Sequence, residues 1–149
     1  MAQPTVGQPA PAFTLPASTG GEISLADYRD QRIVVLYFYP RDLTPGCTQE
    51  ACSFRDLAEE FAAVGAVILG VSTDDLASHD RFVAKHELNF PLLADEDARV
   101  AQAYGVWKEK NNYGRKYMGI ERTTFVIDRA GIVRKIYPKV KVDQHADEV

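Results

Sequence analysis

The sequence predicts an α/β fold, a three-layer sandwich with a mixed central sheet and a β-hairpin near its N-terminal end. Residues 33–39 form a continuous β-branched and aromatic run, typical of a strand buried on both faces of a helix-covered sheet. Segments with apolar residues at helical spacing alternate with further short apolar strands. The chain has 149 residues, enough for one domain with a substantial core.

The predicted elements follow one another along the whole chain. In order they are a hairpin (12–15 and 22–25), a strand (33–39), a helix ended by Gly65, a strand (66–71), a helix to about residue 88, a strand (91–93), a short helix (98–104) and a terminal hairpin (123–127 and 132–137). Asp74 or Asp75 is expected to cap the second helix. Residues 106–119 are polar, with Tyr, Lys and Arg mixed, and predict a solvated loop. This order is consistent with a thioredoxin-like core.

Composition and charge exclude several classes of function. The net charge of −4 disfavours a nucleic-acid binder, which usually carries a basic face. No apolar run approaches the roughly 20 residues of a membrane helix, and the N-terminus lacks the pattern of a signal peptide, so a cytoplasmic protein is expected. Two cysteines are too few for a zinc site built on thiolates, and the sequence shows no partner carboxylate for His79 or His86. We therefore expect no metal and no cofactor.

The chemically informative segment surrounds Cys47, between a central strand and the following helix. Thr44 is a good N-cap and Pro45 a favourable first helical residue, so Cys47 falls in the first turn. The unpaired amides and the positive end of the helix dipole stabilise a thiolate there over a thiol. Gly46 has no side chain and leaves the backbone amides open to a ligand. The pattern indicates a reactive rather than a structural cysteine.

The second cysteine, Cys52, lies five residues further along the same predicted helix. This separation places the two Cα atoms roughly 8–9 Å apart on different helix faces. A disulfide requires a Cα separation below about 7 Å. The two cysteines can therefore bond only if the first turns of the helix unwind.

The motif Tyr-Pro-x-Asp-x-Thr-Pro-Gly-Cys-Thr-x-Glu-Ala-Cys at positions 39–52 resembles the active site of peroxiredoxins. The second cysteine, five residues after Cys47, is similar to that of the bacterioferritin comigratory protein (Q-type) subfamily. The resemblance covers nearly the whole chain, 1–149, as one domain. It implies reduction of hydrogen peroxide and alkyl hydroperoxides, with Cys47 as the peroxidatic and Cys52 as the resolving cysteine. A thioredoxin or glutaredoxin-type thiol donor and a monomer are also expected. The resemblance extends the catalytic set to Pro40, Thr44, Glu50 and Arg122, and the expected substrate contacts to Thr44, Gly46, Cys47 and Arg122.

Alternatives remain for several of these residues and for the function. Arg122 could form a surface ion pair with Glu121, Glu50 could be an ordinary exposed helix residue, and Cys52 could be a small core residue. A general dithiol–disulfide oxidoreductase is a rival function, although such enzymes usually carry C-x-x-C. A redox-sensing binding protein, in which the disulfide unwinds a helix, is the second rival, and turnover with a reductant distinguishes it from an enzyme.

Overall fold

The structure of the chain is a computed structural model that describes residues 4–112 and 114–137. The strands are β1 (Thr14–Pro16), β2 (Glu22–Ser24), β3 (Ile33–Phe38), β4 (Ala66–Ser72), β5 (Leu92–Ala94), β6 (Trp107–Asn112), β7 (Arg115–Ile120), β8 (Thr123–Ile127) and β9 (Val133–Tyr137). The helices are α1 (Pro45–Ala63), α2 (Leu76–His86) and α3 (Arg99–Ala103), with a 3₁₀ turn at Leu25–Tyr28.

A five-stranded mixed sheet in the order β5-β4-β3-β8-β9 organises the molecule. Strands β3, β4 and β5 run parallel, whereas β8 is antiparallel to both of its neighbours. The central strand β3 is buried along nearly its whole length, because both faces of the sheet are covered. The predicted mixed sheet and its doubly buried central strand are confirmed.

Successive side chains of β3 point to opposite faces of the sheet, so the strand contributes to two separate cores, one on each face. Val35 and Tyr37 point to the face that packs against Phe54 of α1 and Phe82 of α2. The intervening residues of β3 point to the other face and pack in a core with residues of α3, the N-terminal segment, β8 and β9. The result is the predicted three-layer arrangement, with the β1–β2 hairpin on the side of α3.

The predicted boundaries differ from the observed ones by a few residues at most of the element ends. The predicted strand 33–39 ends at Phe38, and α2 ends at His86 because Glu87 adopts a left-handed conformation with φ 52°. Asp75, one of the two predicted capping residues, accepts a hydrogen bond from the Ser78 amide at 2.8 Å. Gly65 follows the end of α1 with φ 78°, as expected for a residue that terminates a helix.

The prediction of a solvated loop at 106–119 is wrong. Strands β6 and β7 pair there as an antiparallel hairpin outside the main sheet. Because most of this hairpin is exposed on both faces, its strands lack the alternation of apolar and polar residues that marks a half-buried strand.

The sheet register explains how residues distant in sequence meet at one edge. Phe38, the last residue of β3, pairs with Thr123, the first residue of β8. Arg122 therefore lies beside the carboxyl end of β3, the end from which the chain leads into α1. In open α/β sheets, this is the edge at which ligands bind.

Candidate active site

Cys47 occupies the first turn of α1. Thr44 is the N-cap, with extended backbone angles (φ −79°, ψ 154°), and Pro45 is the first helical residue, as predicted. The bond from the Thr48 amide to the Thr44 carbonyl, 2.8 Å long, belongs to the first turn, and the amides of Gly46 and Cys47 precede it. The Cys47 side chain is buried, with 1% of its surface exposed.

Arg122 bridges Cys47 and Glu50 with the two nitrogens of its guanidinium group. Its Nη2 donates to Cys47 Sγ at 3.1 Å, and its Nη1 donates to Glu50 Oε1 at 2.6 Å. The Arg122 side chain is 15% exposed and that of Glu50 only 1%. Neither residue therefore fits the alternative of a surface ion pair or an exposed helix position. The guanidinium cation thus makes direct contact with the sulfur of Cys47.

Glu50 is a buried carboxyl group beneath the thiol. Burial raises its pKa to about 7 from 4.5, although the charge and the hydrogen bond of Arg122 act in the opposite direction. Among the described residues, Glu50 Oε2 and the hydroxyl of Tyr37 are buried polar atoms without a hydrogen-bond partner. Burial also raises the pKa of Tyr37, and the charges of Glu50 and Cys47 add to this effect. The cost of burying the charged form thus exceeds the stabilisation by Arg122, so Glu50 takes up a proton near neutral pH.

Burial lowers the pKa of Arg122, but the charges of Glu50 and Cys47 and the hydrogen bonds to both outweigh it, so the net shift is upward. A second cation approaches from the β6–β7 hairpin, where Lys110 is half-buried. Burial lowers the pKa of Lys110, and the like charge of Arg122 lowers it further, against the charges of Cys47 and Glu121. The thiol therefore lies in an electropositive environment.

The remaining predicted residues line the start of α1. The Thr44 hydroxyl donates to the Arg41 carbonyl at 3.0 Å and makes no capping hydrogen bond, so its oxygen remains able to accept one. A Cβ atom at Gly46 would lie 3.4 Å from Arg122 Nη2, so a side chain there would crowd the guanidinium. Pro40 is partly buried in the loop between β3 and α1. The structure thus brings Thr44, Gly46, Cys47, Glu50 and Arg122 together, with Pro40 in the adjoining loop.

Cys52 lies further along α1, partly buried, and both cysteines are free thiols. The helix is intact from Pro45 to Ala63. This is the state in which the helical spacing keeps the two sulfurs from bonding.

A buried polar network, which the sequence did not reveal, holds the loop between β3 and α1. His79 Nδ1 lies 2.6 Å from Asp42 Oδ2, and the Tyr39 hydroxyl donates to Asp42 Oδ1 at 2.6 Å. Asp42 is thus the partner carboxylate that the sequence did not reveal for His79. The two residues lie 37 positions apart, so no local spacing could have indicated the pair. In the described ranges 4–112 and 114–137, no cluster of His, Cys, Asp and Glu suits a metal ion.

The fold and the site define a class of protein: a thiol-based redox protein with a thioredoxin-like sheet and a reactive cysteine at a helix N-terminus. A family model described as AhpC/TSA family matches residues 6–136. A putative peroxiredoxin bcp from Coxiella burnetii is 51% identical over 97% of this chain and 95% of its own length. The peroxiredoxin Bcp of Bacillus subtilis is 50% identical over 96% and 90%.

Solved structures agree with these relatives. A PrxQ variant from Xylella fastidiosa has a TM-score of 0.93 at 38% identity, covering 99% of this chain and 94% of its own. The bacterioferritin comigratory protein of Xanthomonas campestris has a TM-score of 0.86 at 45% identity, covering 91% and 86%, and was studied for its alkyl peroxide reduction activity.

The chain belongs to the AhpC/TSA family, in its Bcp (PrxQ) group of peroxiredoxins, and is a thiol-dependent peroxidase. Among the helices of the described segments, none is both long enough and apolar enough to cross a bilayer.

Proposed function

We propose that this chain reduces hydrogen peroxide and alkyl hydroperoxides by attack of the Cys47 thiolate on one peroxide oxygen. The contact of 3.1 Å between Arg122 Nη2 and Cys47 Sγ carries the proposal, because it places a fixed cation and hydrogen-bond donor at the atoms that react. The sulfur–oxygen bond forms as the O–O bond breaks. Cys47 becomes a sulfenic acid, and the departing oxygen leaves as water or an alcohol after taking up a proton.

Negative charge moves to the departing oxygen during this step, so hydrogen-bond donors must meet it there. The amides of Gly46 and Cys47 and the guanidinium of Arg122 are the donors in this mechanism. The Thr44 hydroxyl already donates to Arg41, so its oxygen accepts the hydrogen of the peroxide and orients the O–O bond. Preorganised donors of this kind are usually the largest contribution to catalysis. Pro40 shapes the loop that carries Thr44.

Cys52 then resolves the sulfenic acid. The first turns of α1 unwind, the Cys52 thiol attacks Cys47, and a disulfide forms with release of water. The helical separation of the two residues makes this unwinding obligatory. In the intact helix, Glu50 holds Arg122 against Cys47 through the contact of 2.6 Å, and this contact reforms with the helix.

A dithiol donor of the thioredoxin or glutaredoxin type supplies two electrons and two protons, which regenerate both thiols. The cycle needs only the two cysteines of one chain, so the proposed working form is a monomer consisting of one domain over residues 1–149. The proposed place of action is the cytoplasm, where thiol donors keep cysteines reduced.

Turnover with thioredoxin, thioredoxin reductase and NADPH tests the proposal. Cys47→Ser should abolish peroxide consumption. Cys52→Ser should retain one rapid oxidation per chain and lose turnover with thioredoxin. Ser53→Ala, beside Cys52 on the same helix, is the matched control and should cycle normally. Normal turnover of Cys47→Ser would exclude the proposed nucleophile, and a single oxidation of the unaltered protein without turnover would favour a redox sensor.

A further inference from the structure

A buried ion pair joins the loop that precedes α1 to helix α2. The side chains of His79 and Asp42 are 0% and 1% exposed, with Nδ1 of the imidazole 2.6 Å from a carboxylate oxygen. The other ring nitrogen of His79 lies 2.9 Å from the carbonyl oxygen of Leu93 in β5. Both nitrogens therefore face strong acceptors, and only a doubly protonated imidazole can donate to both. His79 is thus a cation paired with the Asp42 carboxylate.

The pair fastens the loop before α1 to three other elements. Asp42 accepts hydrogen bonds from Tyr39, which follows β3, and from the Ser78 hydroxyl of α2, the latter at 2.8 Å. The backbone amide of Asp42 donates to Asp74 Oδ2 at 2.8 Å, just after β4. The segment is therefore held through both its side chain and its backbone, five residues before Cys47.

We propose that the Asp42–His79 ion pair is a clamp that fixes the upstream end of the unwinding segment, so that only the part of α1 beyond Thr44 rearranges during disulfide formation. This inference rests on the proposed two-cysteine cycle and adds two positioning residues to it. With the loop fastened, Thr44 and the first amides of α1 stay aligned for the peroxide. With the loop released, the unwound state gains freedom and the aligned state becomes less populated.

The clamp therefore affects the two chemical steps in opposite directions. Loss of the ion pair should slow oxidation of Cys47 by peroxide, because the aligned state is less populated. The same loss should accelerate the subsequent attack of Cys52, because unwinding precedes it. Each rate should change by about tenfold, the size of effect that one charge-assisted hydrogen bond supports.

The test measures both rates in His79→Leu and Asp42→Asn by rapid quenching, thiol trapping and mass analysis. His79→Asn, which retains a donor toward Asp42, should recover part of the unaltered behaviour. Val133→Ala, at a position buried in the opposite core, is the control for general loss of stability. The clamp is overturned if the variants change both rates in parallel or match Val133→Ala. If the unaltered protein forms no Cys47–Cys52 disulfide, the proposed function fails instead.

Hydrogen exchange in the unaltered protein provides a second test that needs no substitution. The titratable groups that face His79 are Asp42 in the loop, Tyr39 after β3 and Asp74 after β4. Burial lowers the pKa of His79, but the hydrogen bond and charge of Asp42, the Leu93 carbonyl and the charge of Asp74 raise it above 6.5 overall.

Because the pKa of His79 is raised on folding, its stabilising effect is present below 6.5 and is lost as the pH rises through the raised value. Protection of the Asp42 and Thr48 amides should then fall, after correction for intrinsic exchange, more than that of the Val106 amide in the opposite core. Equal changes in protection at these three amides across the titration would contradict the clamp.

Discussion

Arg122 shares its guanidinium group between a thiol and a carboxyl, and this division sets the chemistry of Cys47. The contacts are 3.1 Å to sulfur and 2.6 Å to Glu50. The planar fork of arginine makes both contacts at once, which the point charge of a lysine does not. Glu50 therefore controls both where the cation lies and how much of its charge acts on the sulfur.

Replacing Arg122 by methionine removes the cation and keeps much of the side-chain length. Oxidation of Cys47 by hydrogen peroxide should slow by about a hundredfold or more, as when a preorganised donor is removed from other active sites. The second-order rate constant from stopped-flow fluorescence measures the effect. Arg134→Met is the matched control, because Arg134 also pairs with a carboxylate at 2.6 Å, but away from the thiol. Equal rates for the two variants would rule out the role of Arg122.

Glu50→Gln predicts a change in the pH dependence of stability. The folded-state pKa of Glu50 is raised to about 7 from 4.5, chiefly by burial. A raised pKa stabilises the fold below 4.5, and this stabilisation is lost as the pH rises through about 7. The free energy of unfolding of the unaltered protein, relative to Glu50→Gln, should therefore fall between these limits by a few kcal/mol. Urea unfolding at a series of pH values measures it, and a flat difference would contradict the assignment.

For individual residues, the sequence could predict the features that depend only on neighbouring positions in the chain. The helix start that Thr44 and Pro45 define, and the position of Cys47 in its first turn, follow from capping rules. Arg122 entered the candidate site only through the resemblance, because nothing in its local sequence points to Cys47. The burial of Glu50 and the Asp42–His79 pair were not predicted, since both arise from packing between elements far apart in the chain.

Helix α1 is the element on which the cycle depends, since it carries both cysteines. It extends over 19 residues, and its downstream part is anchored by Phe54 in the core. The first turns hold Cys47, Glu50 and Ala51, which are buried, so unwinding exposes these three residues. Gly46 weakens the first turn, because glycine is a poor helix former. The anchor at Phe54 lets the remainder of α1 stay packed while its N-terminal end unwinds.

Oxidation should therefore lower the helix content. Formation of a Cys47–Cys52 disulfide requires the loss of roughly two turns of helix, about seven residues. Far-ultraviolet circular dichroism of the reduced and peroxide-treated protein measures the change. Cys52→Ser, treated in the same way, should retain the reduced spectrum. Identical spectra before and after oxidation, with the disulfide confirmed by mass, would contradict the unwinding mechanism.

The β6–β7 hairpin shows where pattern-based prediction fails at the element level. Its strands pair with one another and not with the main sheet, so neither face is continuously buried. Alternation of apolar and polar residues arises only when one face is covered. The central strands β3 and β4, which are buried along nearly their whole length, were predictable because they read as continuous apolar runs.

The fold as a whole places the N-terminus of α1 and the start of β8 at the same edge of the sheet. Cys47 and Arg122 are 75 positions apart, and the antiparallel register of β3 with β8 places them in contact. The order of strands and helices predicted the three-layer architecture. The register of β8 against β3, which creates the site, could not be derived from periodicity alone, because pairing of distant strands is fixed by tertiary packing.

Peroxide oxidation of the fully reduced protein tests the two-cysteine mechanism most directly. One equivalent of hydrogen peroxide is added, the intact mass is measured and the thiols are mapped, at two protein concentrations. We expect the loss of two hydrogens, with the Cys47 sulfenic acid converting to the Cys47–Cys52 disulfide with a first-order rate constant that is independent of protein concentration. Oxygen retained on Cys47 with Cys52 free, or a rate constant for this conversion that rises with concentration, would show that resolution comes from another thiol. If neither cysteine reacts, the proposed peroxidase chemistry is wrong.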